Sequence, residues 1–134
     1  MVTTTQSCPC CSGLPYGRCC EPILLGKSLP ETAEKLMRSR FTAYALKRPD
    51  YLVETTASEK RAELDQDELG RYCRAVTCIS LKILSRQAGG PQDETGTVIF
   101  HASLQINGKR MLHREHSTFR REDGRWVYVD GDTN

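Results

Sequence analysis

The chain has 134 residues, 38% hydrophobic and 27% charged, with 19 basic and 17 acidic side chains for a net charge of +2. That length and composition describe a compact globular protein with a real core and exclude an intrinsically disordered chain. So even a charge balance argues against nucleic acid as the main partner, and no apolar run is long enough to span a bilayer.

Met1 to Gln6 is polar with no apolar stretch behind it, so no secretory signal is expected and the expected location is cytoplasmic. Seven cysteines follow in the chain, five of them between Cys8 and Cys20. In a reducing compartment such a cluster points to metal rather than to a disulfide framework. Residues 1–27, rich in Cys, Gly and Pro, have little hydrophobic periodicity and would need a metal to fold. The spacing is Cys8-x-Cys10, a loop, then Cys19-Cys20, which offers two closely spaced thiolate pairs to one tetrahedral ion. Ser12-Gly13 and Gly17 allow tight turns, and Pro15-Tyr16 begins a helical turn that delivers Cys19 and Cys20. Arg18 and the turn amides are expected to offset the thiolate charge. The expected cofactor is one Zn2+ per chain, and it is structural, because four cysteines leave no open position for water. An iron–sulfur centre, a disulfide pair and free thiols are the alternatives. The missing signal opposes disulfides, and the density of the cluster opposes free thiols. Cys11 is a spare thiol among the ligands, while Cys73 and Cys78 read as structural thiols among apolar neighbours.

Residues 28–48 read as a helix, with Ser28 and Glu31 as a capping box and Pro30 in the first turn. Its face of Ala33, Leu36, Met37, Phe41 and Tyr44 is apolar but crossed by Arg40. Pro49-Asp50 breaks it, and Asp50 is expected to cap a short second helix. Residues 58–75 are charged and helical in part. Val76 to Leu84 reads as a strand, Gln87 to Gly96 as a loop, and Thr97 to Ile106 alternates as a second strand. Asn107-Gly108 predicts a hairpin into Arg110–Arg121, and Glu122-Asp123-Gly124 turns that strand into Arg125–Asp130. Helices followed by an antiparallel meander make an α+β fold.

The stretch from Cys8 to Cys20 resembles the SEC-C motif, the zinc-binding segment at the C-terminus of the translocase motor SecA and in small bacterial proteins. Cys8, Cys10, Cys19 and Cys20 stand at its four ligand positions, the Ser12-Gly13 pair matches, and Cys11 departs from the usual glycine. Thr32-Ala33-Glu34, Leu36 to Tyr44, Leu112 to Glu115 and Gly124 to Gly131 resemble the YchJ-like family of bacterial proteins. The resemblance implies a SEC-C zinc knuckle over 1–27 and, over 28–134, a nuclear transport factor 2-like (SnoaL-like) cone of N-terminal helices and a curved antiparallel sheet. Many relatives carry a second SEC-C segment near the C-terminus, and this chain, ending at Asn134, shows none, so a two-zinc function is not expected. SEC-C segments dock proteins, and that of SecA contacts the chaperone SecB and the ribosome. The resemblance therefore implies a zinc-binding accessory or adaptor protein that docks a protein partner, a secretion chaperone or the ribosome among the candidates.

In a cone, the first helix and the sheet enclose a pocket. Arg40 and Tyr44 share a helix face, His113 and Glu115 alternate onto one face of the third strand, and Trp126, Tyr128 and Asp130 share a side of the fourth. These seven residues are candidates for a pocket that binds a small carboxylated molecule or runs acid–base chemistry, which is the alternative function. The plainer alternative is that they close a structural hydrogen-bond network, with Glu115 or Asp130 pairing the buried Arg40. No Ser-His-Asp, HExxH, phosphate-loop or dinucleotide signature is present, so no catalytic residue is assigned. Arg110, His113, Arg114, Arg120, Arg121 and Arg125 make the hairpin region basic, either as a solvated face or as a surface for an anionic partner.

Overall fold

The computed structural model describes residues 2–133; Met1 and Asn134, the outer ends of the two predicted units, lie outside the described residues. A single 3₁₀ turn (Tyr16–Arg18) leads into α1 (Cys20–Leu24), α2 (Ala33–Ala45), α3 (Pro49–Glu54), α4 (Ser58–Arg61) and α5 (Gln66–Ala75). Four strands follow: β1 (Val76–Ala88), β2 (Thr95–Ile106), β3 (Lys109–Glu122) and β4 (Arg125–Asp132). None of the described helices is long and apolar enough to cross a membrane.

Helix α2 starts later than the capping box predicts. Thr32 is its N-cap, extended in backbone and accepting the Lys35 amide at 3.0 Å. Ser28 instead places its amide on the Pro22 carbonyl, closing the turn after α1. Pro30 disfavours helical geometry at the residue before it, so the helix has to start beyond it. Pro49 opens α3 at its first turn, where its missing N–H costs nothing, and Asp50 pairs with Arg48 at 3.0 Å rather than capping.

The strands pair antiparallel in the order β1-β2-β3-β4. Asn107-Gly108 and Asp123-Gly124 turn the two last hairpins with positive φ at both residues, the twist that suits adjacent strands. The α+β reading holds, but the cone does not. β1 and β4 are the outer strands and are not paired with one another, so the sheet stays open. A sheet of four strands with one apolar face needs only a single covering layer, and nothing in its pairing drives closure. The outer edge of β4 is capped by residues 55–57: Ala57 N–H donates to the Tyr128 carbonyl and Tyr128 N–H to the Thr55 carbonyl, both at 2.8 Å.

Helix α2 lies between two apolar clusters. Ala33, Leu36, Met37 and Phe41 pack on Val98, Phe100, Ala102, Leu104, Phe119 and Trp126 of the sheet. Ala43, with Tyr51 and Leu52 of α3 and Cys73 of α5, packs on Cys8, Cys10, Tyr16, Cys20 and Leu24.

A bulge in β4 changes which residues face α2. Phe119 pairs with Tyr128, but Thr118 pairs with Asp130, so Val129 is the extra residue and the alternation reverses there. Tyr128 faces inward, and Gly131 follows it there opposite the buried Ser117. A Cβ on Gly131 would overlap the Glu115 carboxylate and lie 2.6 Å from Tyr128 Oη. Gly131→Ala is expected to lower unfolding free energy by about 1–3 kcal/mol, the usual cost of overpacking, measured by urea denaturation; an unchanged midpoint and slope contradict the packing.

Candidate functional site

The 3₁₀ turn and α1 carry Cys19 and Cys20 toward the Cys8–Cys10 hairpin, which is closed by Cys8 N–H donating to the Leu14 carbonyl at 2.9 Å. Cys11 takes a positive φ of 63° in that turn, the conformation that glycine adopts without strain. All seven cysteines are free thiols. The Sγ atoms of Cys8, Cys10, Cys19 and Cys20 lie within 4.8 Å of one another. Cys10 and Cys19 sulfurs are 3.6 Å apart and those of Cys19 and Cys20 4.0 Å. An ion held at about 2.3 Å from four sulfurs at tetrahedral angles spaces them at about 3.8 Å, a value these two distances bracket, and all four sulfurs lie close enough together to hold one ion. The four are mostly buried, with Cys19 the most open.

The electrostatics also favour a cation. Burial pushes the Cys19 thiol up to about 11. Hydrogen bonding with Cys10 and Cys8, then burial, pushes Cys20 far above the usual thiol range. Hydrogen bonds with Cys10 and Cys20 drive Cys8 far below it. Without a cation Cys19 and Cys20 keep their protons; an ion held among the four sulfurs would reverse those upward shifts and favour the thiolates.

The groups around the sulfurs are largely ones that spacing could not reveal. Thr42 Oγ1, on α2, donates to Cys20 Sγ at 3.3 Å and lies 3.8 Å from Cys8 Sγ. Ser12 Oγ lies 3.2 Å from Cys19 Sγ. Arg18, expected to balance the thiolates, is exposed. Arg38 is the arginine that reaches the knuckle, donating Nη1 to the Cys10 carbonyl at 2.8 Å while Nε binds Glu34 at 2.9 Å.

A second feature lies on the opposite face of α2. Arg40, Tyr44, His113, Glu115 and Tyr128 line a cavity of about 240 Å³ between α2 and the sheet, so the interior is not filled by aromatic side chains. Tyr72 and Cys78 also line it, and Tyr72 meets Tyr44 edge-on at 5.7 Å. Two predicted members are elsewhere. Trp126 is buried in the core, its Nε1–H donating to the Glu31 carbonyl at 3.1 Å and its ring under the Arg121 guanidinium at 4.5 Å. Asp130 is exposed at the rim of a neighbouring cavity, turned outward by the Val129 bulge.

Neither Glu115 nor Asp130 forms an ion pair with Arg40. Arg40 Nη1 donates to the Leu52 carbonyl at 3.0 Å and to Thr55 Oγ1 at 2.7 Å, and its guanidinium lies 4.5 Å over the Tyr128 ring. Glu115 accepts from Ser117 Oγ at 2.5 Å and Tyr128 Oη at 2.9 Å and meets His113 Nε2 at 2.9 Å. The basic hairpin is partly consumed within the fold. Arg120 pairs with Glu59 at 2.6 Å and Arg121 holds the Asp93 and Pro91 carbonyls at 2.7 and 2.9 Å.

Comparison with known proteins places this arrangement. The family described as "YchJ, middle NTF2-like domain" matches residues 32–131. A UPF0225 protein of Actinobacillus succinogenes is 40% identical over 126 residues, covering 94% of this chain and 81% of the relative. One from Geobacter sulfurreducens is 39% identical, covering 95% and 79%. The solution structure of a SEC-C motif containing protein from Rhodopseudomonas palustris superposes with a TM-score of 0.87 at 37% identity, over 96% of this chain and 99% of that one. The crystal structure of a SEC-C motif containing protein from Psychrobacter arcticus gives 0.81 at 25% identity, over 95% and 82%.

Thr42→Val keeps the shape of the side chain and removes its hydroxyl from Cys20 Sγ. It is expected to weaken metal retention about tenfold or more against a chromophoric chelator, with an unchanged circular dichroism spectrum. Unaltered retention shows that the hydroxyl does not tune the site.

Proposed function

The chain belongs to the YchJ family of SEC-C motif-containing bacterial proteins, and from that premise we propose that it is a zinc-binding accessory protein that docks a protein partner through its cysteine knuckle. Zinc is the reading that the donor set supports: four cysteine sulfurs at tetrahedral spacing suit a d¹⁰ ion without geometric preference of its own. Four such ligands saturate the ion, so it supplies no Lewis-acid position and serves to hold Cys8–Cys10 against Cys19–Cys20. Chemistry at the metal is not part of the proposal.

The observation that carries the docking role is a groove beside the knuckle. Cys19, Cys20 and Ile23 line it together with Leu14 and Leu29, and Arg18, Lys35 and the acidic Glu31 border it. Leu14 is 51% exposed and Leu29 54%, with Leu25 nearby in the chain at 58%. Large apolar side chains grouped at a surface with a mostly basic rim mark a contact site rather than ordinary scatter. The partner chemistry this fits is an apolar segment flanked by acidic residues, and a secretion chaperone and the ribosome are the two partner classes to test.

Purified protein is expected to contain about one zinc per chain, lost in Cys19→Ser. Iron in its place, or full zinc retention in that variant, contradicts the assignment. Leu14→Asp with Leu29→Asp is expected to leave metal content and fold unchanged while reducing partner binding at least about tenfold. A partner bound equally by wild type and double variant places the docking surface elsewhere.

A further inference from the structure

Docking through the knuckle leaves the interior cavity unused, and the polar groups around that cavity are unequally satisfied. Glu115 is engaged on both oxygens by Ser117, Tyr128 and His113. Arg40 is not. It is 7% exposed, yet it makes no ion pair among the described residues. Only its Nη1 holds hydrogen bonds, all to neutral oxygens of Leu52, Thr55 and Thr56. A guanidinium this far from water normally has a carboxylate or phosphate beside it. Tyr128 keeps Glu115 from that role: its ring lies under the guanidinium and its hydroxyl is given to Glu115.

Tyr44, one helical turn beyond Arg40 on the same face of α2, borders the same cavity. Its hydroxyl has no hydrogen-bond partner among the described residues, and burial raises its pKa, so it stays a neutral donor. No fully buried side-chain nitrogen or oxygen among the described residues lacks a partner. The free donors of Arg40 and Tyr44 are therefore not sealed in the core; they open onto accessible space.

The geometry points to a binding site for a small organic carboxylate, its head on Arg40 and Tyr44 and a flat apolar body between Phe41, Phe100, Met37 and Leu104. The volume of about 240 Å³ sets the size. An apolar cavity of roughly 150 Å³ takes benzene, so this one has room for one ring with a short acid-bearing arm. The apolar walls would be left unfilled by a bare inorganic anion. His113, with its side chain 38% exposed, stands where the cavity meets solvent. Arg40, Tyr44 and Tyr128 also border a second cavity of about 290 Å³, but Lys60, Glu63 and Asp130 give that one a mixed-charge lining unsuited to an apolar acid.

The test is an NMR titration of the full-length, metal-loaded chain with benzoate, phenylacetate and 3-phenylpropionate, each beside its neutral amide. At least one acid is expected to shift the Phe100 ring and Met37 methyl signals with a Kd about tenfold or more below that of its amide, the discrimination of a charge-assisted hydrogen bond. Tyr44→Phe is expected to raise that Kd about threefold or more. Arg40→Gln also unties Leu52 and Thr55, so the acid–amide comparison on the unaltered chain carries the decision. Equal affinity for acid and amide, no binding by any of the three acids, or shifts confined to Leu69 and Val129 in the second cavity overturns the proposal.

Discussion

The Thr42 hydroxyl donates to Cys20 Sγ at 3.3 Å and the Arg38 guanidinium to the Cys10 carbonyl at 2.8 Å, and these two bonds seat the cysteine knuckle on one side of α2. Met37, Arg40, Phe41 and Tyr44 occupy the side that faces the sheet and the cavity. A helix of 13 residues is marginal on its own in water. Its position comes from what clamps it on both sides, and both candidate sites depend on that position. Ser39 contributes to the same clamp, with its hydroxyl 2.6 Å from Tyr51 Oη of α3.

The two sides answer to different physics. On the knuckle side four cysteine sulfurs are gathered closely enough to hold a cation. On the sheet side Arg40 is buried without an ion pair among the described residues, and Glu115 in the same lining is already engaged by Ser117, Tyr128 and His113. A closed metal site suits a structural role, whereas an unpaired buried guanidinium beside open volume suits a ligand. An open sheet is compatible with both, because α2 packs on its apolar face and the 55–57 segment protects the β4 edge.

Much of this was legible in the residues because it is local. Asn107-Gly108 and Asp123-Gly124 specify their turns by backbone preference alone, and the spacing of the four cysteines singles out the set whose sulfurs the fold gathers. Arg40 stands out as a charge in an apolar stripe, and His113 and Glu115 share a strand face by simple alternation. What was not legible depends on long-range contact or on a count slipped by one. The Val129 bulge reverses the alternation and sends Asp130 outward, and no local signal marks it. Thr42, Ser12 and Arg38 support the knuckle through contacts that only the folded chain creates. Ser28 looks like a cap by motif, but Pro30 and Thr32 together move the helix start four residues downstream of where that motif puts it. The open sheet was missed for another reason: resemblance supplied a cone with a curved sheet, and pairing order is what shows the sheet to be open.

The central claim is that the metal-bound knuckle holds α2, and hydrogen exchange followed before and after stoichiometric chelation tests it most directly. If the knuckle clamps the helix, amides of residues 33–45 lose protection together with those of 20–24 when metal is withdrawn, while the β2–β3 ladder retains its own. Loss of protection confined to residues 8–24, with 33–45 unchanged, would show that the sheet alone positions α2 and that the knuckle is an appendage.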